Sequence, residues 1–310
     1  MKKILYILPF VLLMFSCSGE AEDQQDGEEV VLPKLEFNTY NEKISYCIGL
    51  DHGRGCYKAY TSQQTNGKFD IPQMRQAMVD YLDDKDLRIP LYQVDSLING
   101  YLGENGEVHE DVVSKADASY AIGLSEGEFL VASLVARGID QEMEVFFLIE
   151  GVKDGMSQKE PAVPYHEASA EVRKYYNEIN LEMGQEFLAN NAEADSVETT
   201  ESGLQYKMYK IGSGTSPNLT DTCVVHYTGR FIDGRTFEST IPSKIPARLA
   251  PVVVIPGFQE ALMMMKVGGQ GRFFIPWNLG YGEEDIGPIP PYSTLVYDIE
   301  LIQVVRFKPS

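Results

Sequence analysis

From Tyr165 to Ala192 the apolar residues Val172, Tyr175, Tyr176, Ile179, Met183 and Phe187 recur every three or four positions. That period predicts one helix with a single buried stripe. Its 28 residues would span about 42 Å, and Pro164 stands where a helix start tolerates proline. A shorter counterpart runs from Leu91 to Leu102 and stops at Gly103-Glu104-Asn105-Gly106. Beyond Thr199 the period changes to two. Leu204 to Tyr209 alternates as a strand, Asn218 to Asp221 is a turn cluster, and Thr222 to Tyr227 follows as a second strand. Asp233-Gly234, inside Ile232 to Arg235, carries a hairpin signal. Gln270 to Ile275 and Leu295 to Val305 read as the last two strands. Between them lies VVVIPGFQEALMMM, Val252 to Met265, which reads as a buried strand stopped by Pro256-Gly257 and followed by a helix. Proline suits the first helical turn because its missing N–H would have no partner there. Phe258, Leu262 and Met265 then share one face.

The helical part repeats itself. Ser45-Tyr46-Cys47-Ile48-Gly49-Leu50 returns 74 residues later as Ser119-Tyr120-Ala121-Ile122-Gly123-Leu124. Gly53 and Gly127 keep that offset, as do Asp80 and Asp154. Each unit runs as a helix, then Phe69-Asp70 or Ile139-Asp140, then a second helix ending near Asp80 or Asp154. The expected architecture is multidomain: an all-α N-terminal region read as duplicated, then an α+β domain whose antiparallel sheet wraps one short helix. Its expected parts are residues 35–105 and 106–196, the second carrying the long connecting helix, followed by residues 197–310.

The chain begins differently. Met1-Lys2-Lys3 precedes an apolar run from Ile4 to Phe15, too short to span a bilayer, so residues 1–16 read as a signal peptide. Leu13-Met14-Phe15-Ser16-Cys17 resembles a bacterial lipobox, with Phe15 where a small residue is usual. The resemblance implies lipidation at Cys17; an ordinary signal peptide cut elsewhere is the alternative. Residues 17–34 are acidic and polar, and read as a disordered tether similar to the surface-export stretch of Bacteroidetes lipoproteins.

Composition narrows the function. The 310 residues are 44% hydrophobic and 11% aromatic, enough for real cores. A net charge of −20 leaves no basic stripe for nucleic acid and disfavours docking on anionic lipid through the folded surface. Membrane association is therefore expected through the lipid anchor alone. Cys47 and Cys56 fall nine residues apart, about 13 Å along a helix, which excludes a disulfide within it. No CxxC pair exists, and the four histidines have no ligand spacing among themselves, so neither a metal nor a cofactor is expected.

Motifs in the last third carry a resemblance. They are Val225-His226-Tyr227-Thr228-Gly229, Gly234-Arg235-Thr236-Phe237-Glu238-Ser239-Thr240, Val254-Ile255-Pro256-Gly257-Phe258, Gly280-Tyr281-Gly282 with Ile289-Pro290-Pro291, and Leu295 to Leu301. In this order they resemble the FKBP family of peptidyl-prolyl isomerases. Ser-Tyr-x-Ile-Gly, Asp154 to Ser157 and Ser202 to Tyr206 are similar to the helical region of its macrophage infectivity potentiator branch. The resemblance implies a pocket of Tyr227, Phe237, Leu249, Val254, Ile255, Phe258, Ile289 and Tyr297. Within it, Glu238 would brace the wall, and the Ile255 N–H and the Tyr281 hydroxyl would bind peptide carbonyls. Three positions depart from the family pattern: Phe258 for a tryptophan floor, Leu249 for an aromatic wall, and Glu238 for an aspartate.

Such a pocket suits the reaction. An X-Pro amide isomerises through a twisted state that has lost conjugation, unaided in tens to hundreds of seconds. A dry aromatic site disfavours the polar planar amide relative to the twisted one, and needs neither nucleophile nor metal. The implied function is a prolyl isomerase assisting protein folding in the bacterial cell envelope, lipid-anchored at the outer membrane on its periplasmic or surface face. Its implied partners are proline-containing unfolded or envelope proteins and an FKBP-type macrolide. The alternatives are a chaperone-like binding module with a weakened isomerase pocket, and a passive surface adhesin. In that branch one helical unit per chain pairs with a second chain. Two units in one chain predict an internal pseudo-dimer and hence a monomer, with a homodimer as the alternative.

Overall fold

Thr39 caps the first helix by accepting from the Glu42 N–H while the Glu42 carboxylate reaches back to the Thr39 N–H, a capping box that fixes where the helix begins. This helix, α1, spans Tyr40–Tyr60. The structure, a computed structural model, describes residues 35–65, 67–103 and 105–307. The expected signal peptide at residues 1–16, Cys17 and the acidic stretch to residue 34 lie outside the described residues. After α1 come α2 (Ile71–Leu82), α3 (Val94–Tyr101, preceded by a 3-10 turn at Leu91–Gln93), α4 (Lys115–Ala136), α5 (Val145–Gly155) and α6 (Tyr165–Ala192). Among the described residues no helix is long and apolar enough to cross a membrane.

The two helical units exchange partners. Helix α1 of the first unit packs on α5 and α6 of the second, while α4 of the second packs on α2 and α3 of the first. The contacts repeat atom for atom at an offset of 74 residues. The Tyr46 hydroxyl donates to Asp154 Oδ2 at 2.5 Å, and its counterpart Tyr120 donates to Asp80 Oδ2 at 2.9 Å. Ala162 N–H donates to the Tyr46 hydroxyl as Arg88 N–H donates to that of Tyr120. Ser45 Oγ accepts from the Glu144 N–H at the head of α5, and Ser119 Oγ accepts from the Asp70 N–H at the head of α2. The equivalent of Phe69-Asp70 is therefore Met143-Glu144, not Ile139-Asp140. The latter leads into a 3-10 turn at Asp140–Glu142 instead.

Glycine permits this packing because it has no Cβ to hold two helices apart. A Cβ on Gly49 would lie 2.1 Å from the Leu148 carbonyl oxygen, and one on Gly123 would lie 2.2 Å from that of Met74. The motif Ser-Tyr-x-Ile-Gly is thus a helix-crossing device: serine caps the facing helix, tyrosine ties its end, and glycine admits its backbone.

The second domain contains β1 (Glu198–Thr199), β2 (Gln205–Lys210), β3 (Thr222–Phe231), β4 (Thr236–Ser239), β5 (Ala247–Leu249), α7 (Pro256–Met264), β6 (Gln270–Ile275) and β7 (Leu295–Val305). Strand order is β1-β2-β6-β7-β3-β4, with β5 also paired to β3, and every pairing is antiparallel. Gly234 turns β3 into β4 at φ 89°, a left-handed conformation that glycine adopts without strain. Helix α7 lies against the sheet through Phe258, Ala261, Leu262 and Met265.

One expected strand is absent. Pro251–Val253 is a 3-10 turn, with Val252 and Val253 more than half exposed. Ladder pairing ends at Leu249, opposite Cys223, and the Val252 N–H instead donates to the Leu219 carbonyl. Pro251 brings no N–H that could continue a ladder.

Helix α6 continues from the helical region along the second domain. Asn180 donates to the Pro291 carbonyl, and Gln205 donates to that of Leu188 while accepting from Asn191. Phe187 packs against Phe274, and Gly184 leaves room for Thr294.

Candidate functional site

Strand β3 sends Tyr227 to the face covered by α7, and β7 sends Tyr297 there from the neighbouring strand. Phe258, in the first turn of α7, meets both edge-on. Its ring centroid is 5.5 Å from that of Tyr227 and 5.0 Å from that of Tyr297, with interplanar angles of 79° and 86°. Phe237 on β4 completes the cluster, 5.7 Å from Tyr297 and again edge-on. These geometries set positive ring edges against negative faces.

The backbone makes room for the rings. A Cβ on Gly229 would lie 2.6 Å from Phe237 Cζ and 2.8 Å from Tyr297 Cε1, so only glycine fits there. Gly257 plays the same part beneath α7, where a Cβ would lie 2.4 Å from Ile275 Cγ2. Pro256-Gly257 therefore begins the helix and lets it sit close on β6, which places Phe258 at the bottom of the cluster.

Tyr227 is held from two sides. Its backbone N–H donates to Thr240 Oγ1 at 3.0 Å, and its hydroxyl donates to Glu238 Oε1. The longer glutamate thus still reaches the tyrosine that a carboxylate at this place would brace. Burial, followed by the Glu238 contact, raises the Tyr227 hydroxyl well above the usual phenol range. Burial raises Tyr297 likewise, with Tyr281 and Glu238 adding to it. Both phenols are therefore neutral at physiological pH.

The remaining expected residues gather at the same core. Ile289 is buried, and Leu249, Val254, Ile255 and Tyr281 pack against the cluster as partly buried residues. Among the described residues no group accepts from the Ile255 N–H, whereas the Ile255 carbonyl accepts from the Gln259 N–H inside α7. Phe231, which the motifs do not include, packs at a tilt 5.1 Å from Phe237, with the Arg235 guanidinium over its ring. Its signal was faint: one aromatic at the end of a strand, just before a hairpin. His226 Nδ1 lies 2.9 Å from Thr240 Oγ1 and belongs to the strand scaffold. Trp277 sits in a 3-10 turn against Tyr292, away from the cluster.

The family model for FKBP-type peptidyl-prolyl cis-trans isomerases matches residues 213–302. The model for the domain amino-terminal to such isomerases matches residues 115–208. An FKBP-type 22 kDa peptidyl-prolyl cis-trans isomerase of Escherichia coli is 39% identical over 202 residues, covering 62% of this chain and 96% of its own. This chain belongs to the FKBP-type peptidyl-prolyl isomerases. The isomerase FkpA of Aeromonas hydrophila is 37% identical over 206 residues, covering 61% of this chain and 76% of its own. The outer membrane protein MIP of Legionella longbeachae is 34% identical over 207 residues, covering 62% of this chain and 86% of its own. Neither family model reaches residues before 115, so the first helical unit of this FKBP-type isomerase is additional to the matched stretches.

Proposed function

We propose that this isomerase assists the folding of proline-containing proteins in the bacterial envelope, held to a membrane by a lipid on Cys17. The observation that carries the catalytic reading is the convergence of Tyr227, Phe237, Phe258 and Tyr297 beside Tyr281 and Ile255. An X-Pro segment placed there exchanges water for ring surface, which raises the free energy of the polar planar amide more than that of the twisted one. The Tyr281 hydroxyl and the Ile255 N–H hold the flanking carbonyls. Glu238 keeps the Tyr227 ring oriented from outside. An FKBP-type macrolide would occupy the same surface.

The test is a protease-coupled assay of the soluble chain lacking residues 1–17 on a short X-Pro peptide. A rate above the uncatalysed one is expected, and no excess from folded protein ends the reading. Tyr227→Phe is expected to lower kcat/KM by about tenfold or less, since it removes one hydrogen bond worth about 1 kcal/mol. The anchor has its own check: Cys17→Ser should move the protein to the soluble fraction. Retention on membranes after a high-salt wash would contradict it.

A chaperone-like role has separate support in apolar side chains exposed on the helical region, Tyr92, Val112, Phe129 and Phe146 among them. Suppression of aggregation of an unfolded client that survives Phe258→Ala would assign that role to the helices.

The exchanged packing of α1 and α4 also supports a monomer, because each unit already covers the helix that would otherwise seek a second chain. Light scattering on a sizing column at micromolar concentration should return the mass of one chain. A mass near twice that value would make the first unit an added cap and the second still a dimerising one.

A further inference from the structure

His52 and Cys56 lie one turn apart on α1, and Glu126 of α4 closes a triangle with them. Cys56 Sγ is 3.7 Å from His52 Nε2 and 3.5 Å from Glu126 Oε2, and those two atoms are 3.8 Å apart. Tetrahedral Zn(II), with bonds of about 2.0–2.3 Å to nitrogen, oxygen and sulfur, spaces its ligand atoms about 3.4–3.6 Å apart. The triangle is therefore within a few tenths of an ångström of a coordination set, with an ion's place near its centre.

The surroundings suit it as well. The Tyr60 hydroxyl donates to Glu126 Oε1 at 2.7 Å, which orients the carboxylate so that Oε2, the acceptor of the Cys56 thiol, faces the place of an ion. The Phe129 ring stacks on His52, at 6.2 Å between centroids. Cys56 is 6% exposed, while the His52 and Glu126 side chains remain 17% and 24% exposed, so the cluster is shielded yet reachable from one side. His52 and Glu126 are also counterparts at the 74-residue offset, and so face each other where the two units meet. A nucleophilic reading fits less well. Burial raises the Cys56 thiol and lowers the His52 imidazole, the reverse of what an activated thiolate needs.

We infer that His52, Cys56 and Glu126 form a Zn(II) site whose fourth position is open to water. Binding takes the proton from the Cys56 thiol and releases it to solvent. Thiolate, carboxylate and Zn(II) then sum to zero charge, which suits a half-buried site. Sulfur and imidazole ligands select zinc over calcium or magnesium. The ion would join the first unit to the second at their meeting point. Histidine spacing alone gives no hint of it, because the nearer partner of His52 is a cysteine and the third ligand comes from the other unit.

Co(II) is the probe, titrated into untagged chain lacking residues 1–17. One equivalent should bind, with a thiolate-to-cobalt charge-transfer band that Zn(II) abolishes. Cys56→Ser should remove the band, Cys47→Ser and Cys223→Ser should keep it, and Tyr60→Phe should weaken binding about tenfold. The isomerase rate on a short peptide should stay unchanged throughout. If Cys56→Ser loses its helical circular dichroism, His52→Gln and Glu126→Gln carry the test, each weakening binding at least tenfold in folded protein. Absence of stoichiometric binding at micromolar metal, or a band that survives in folded Cys56→Ser, overturns the site.

Discussion

Gly49→Ala should lower the melting temperature of the helical region by about 5 °C, although alanine is the better helix former. Two effects compete. Alanine in a helix interior gains about 1 kcal/mol over glycine. Against that, the new Cβ would lie 2.1 Å from the Leu148 carbonyl oxygen and 3.0 Å from Val152 N, atoms of the α5 backbone that cannot step aside. Overpacking of this kind costs about 3 kcal/mol, so a net loss of about 2 remains. For a region of this size that is a shift of about 5 °C. Gly123→Ala should act alike through Met74 and Ala77. Gly55, with nothing within 4 Å of its would-be Cβ, should instead gain about 1 kcal/mol on substitution by alanine. Thermal denaturation followed by circular dichroism reads all three. A Gly49→Ala protein as stable as the parent would mean that α1 and α5 do not approach as described.

Phe258→Ala should remove about 3–5 kcal/mol from the isomerase domain and abolish its rate above background. The ring is 3% exposed and supports both Tyr227 and Tyr297 edge-on, so its loss opens a cavity under the two rings. Phe258→Leu retains most of the apolar volume but no ring. It should keep the fold within about 1.5 kcal/mol while still lowering the rate, and that separates packing from catalysis. Urea unfolding and the peptide assay on the same samples decide. Full activity in folded Phe258→Ala would remove the aromatic floor from the mechanism.

Long periodic segments were legible in the sequence because period and punctuation agree there. Pro164 and the stripe from Val172 to Phe187 place α6, and β6 and β7 follow their apolar runs. Strands β1 and β5, two and three residues long, are too short to display an alternation. The run Val252–Ile255 misled because four apolar residues together suit a buried strand as well as an exposed turn. Self-similarity announced two helical units but not the exchange between them, since it says which helices are alike and nothing of which ones touch. At the site, motif order brought Tyr227, Phe237, Phe258 and Tyr297 together. The Tyr227–Glu238 contact depends on how a longer side chain folds back, and Phe231 belongs to no motif; neither could be read from residue order.

The exchange of helices also sets an order of assembly. A chain made from its amino end produces α1 first, yet the partners of α1 are α5 and α6, about a hundred residues later. Helix α4 finds α2 and α3 already present. The two closures differ little in equilibrium entropy, by about 0.7 kcal/mol, because loop cost grows only with the logarithm of length. They differ more in time, since distant contacts form slowly. A nascent chain stopped near residue 140 would therefore have the lobe of α2, α3 and α4 closed and the Gly49–Gly53 face of α1 still uncovered, the earliest helix made and the last to dock.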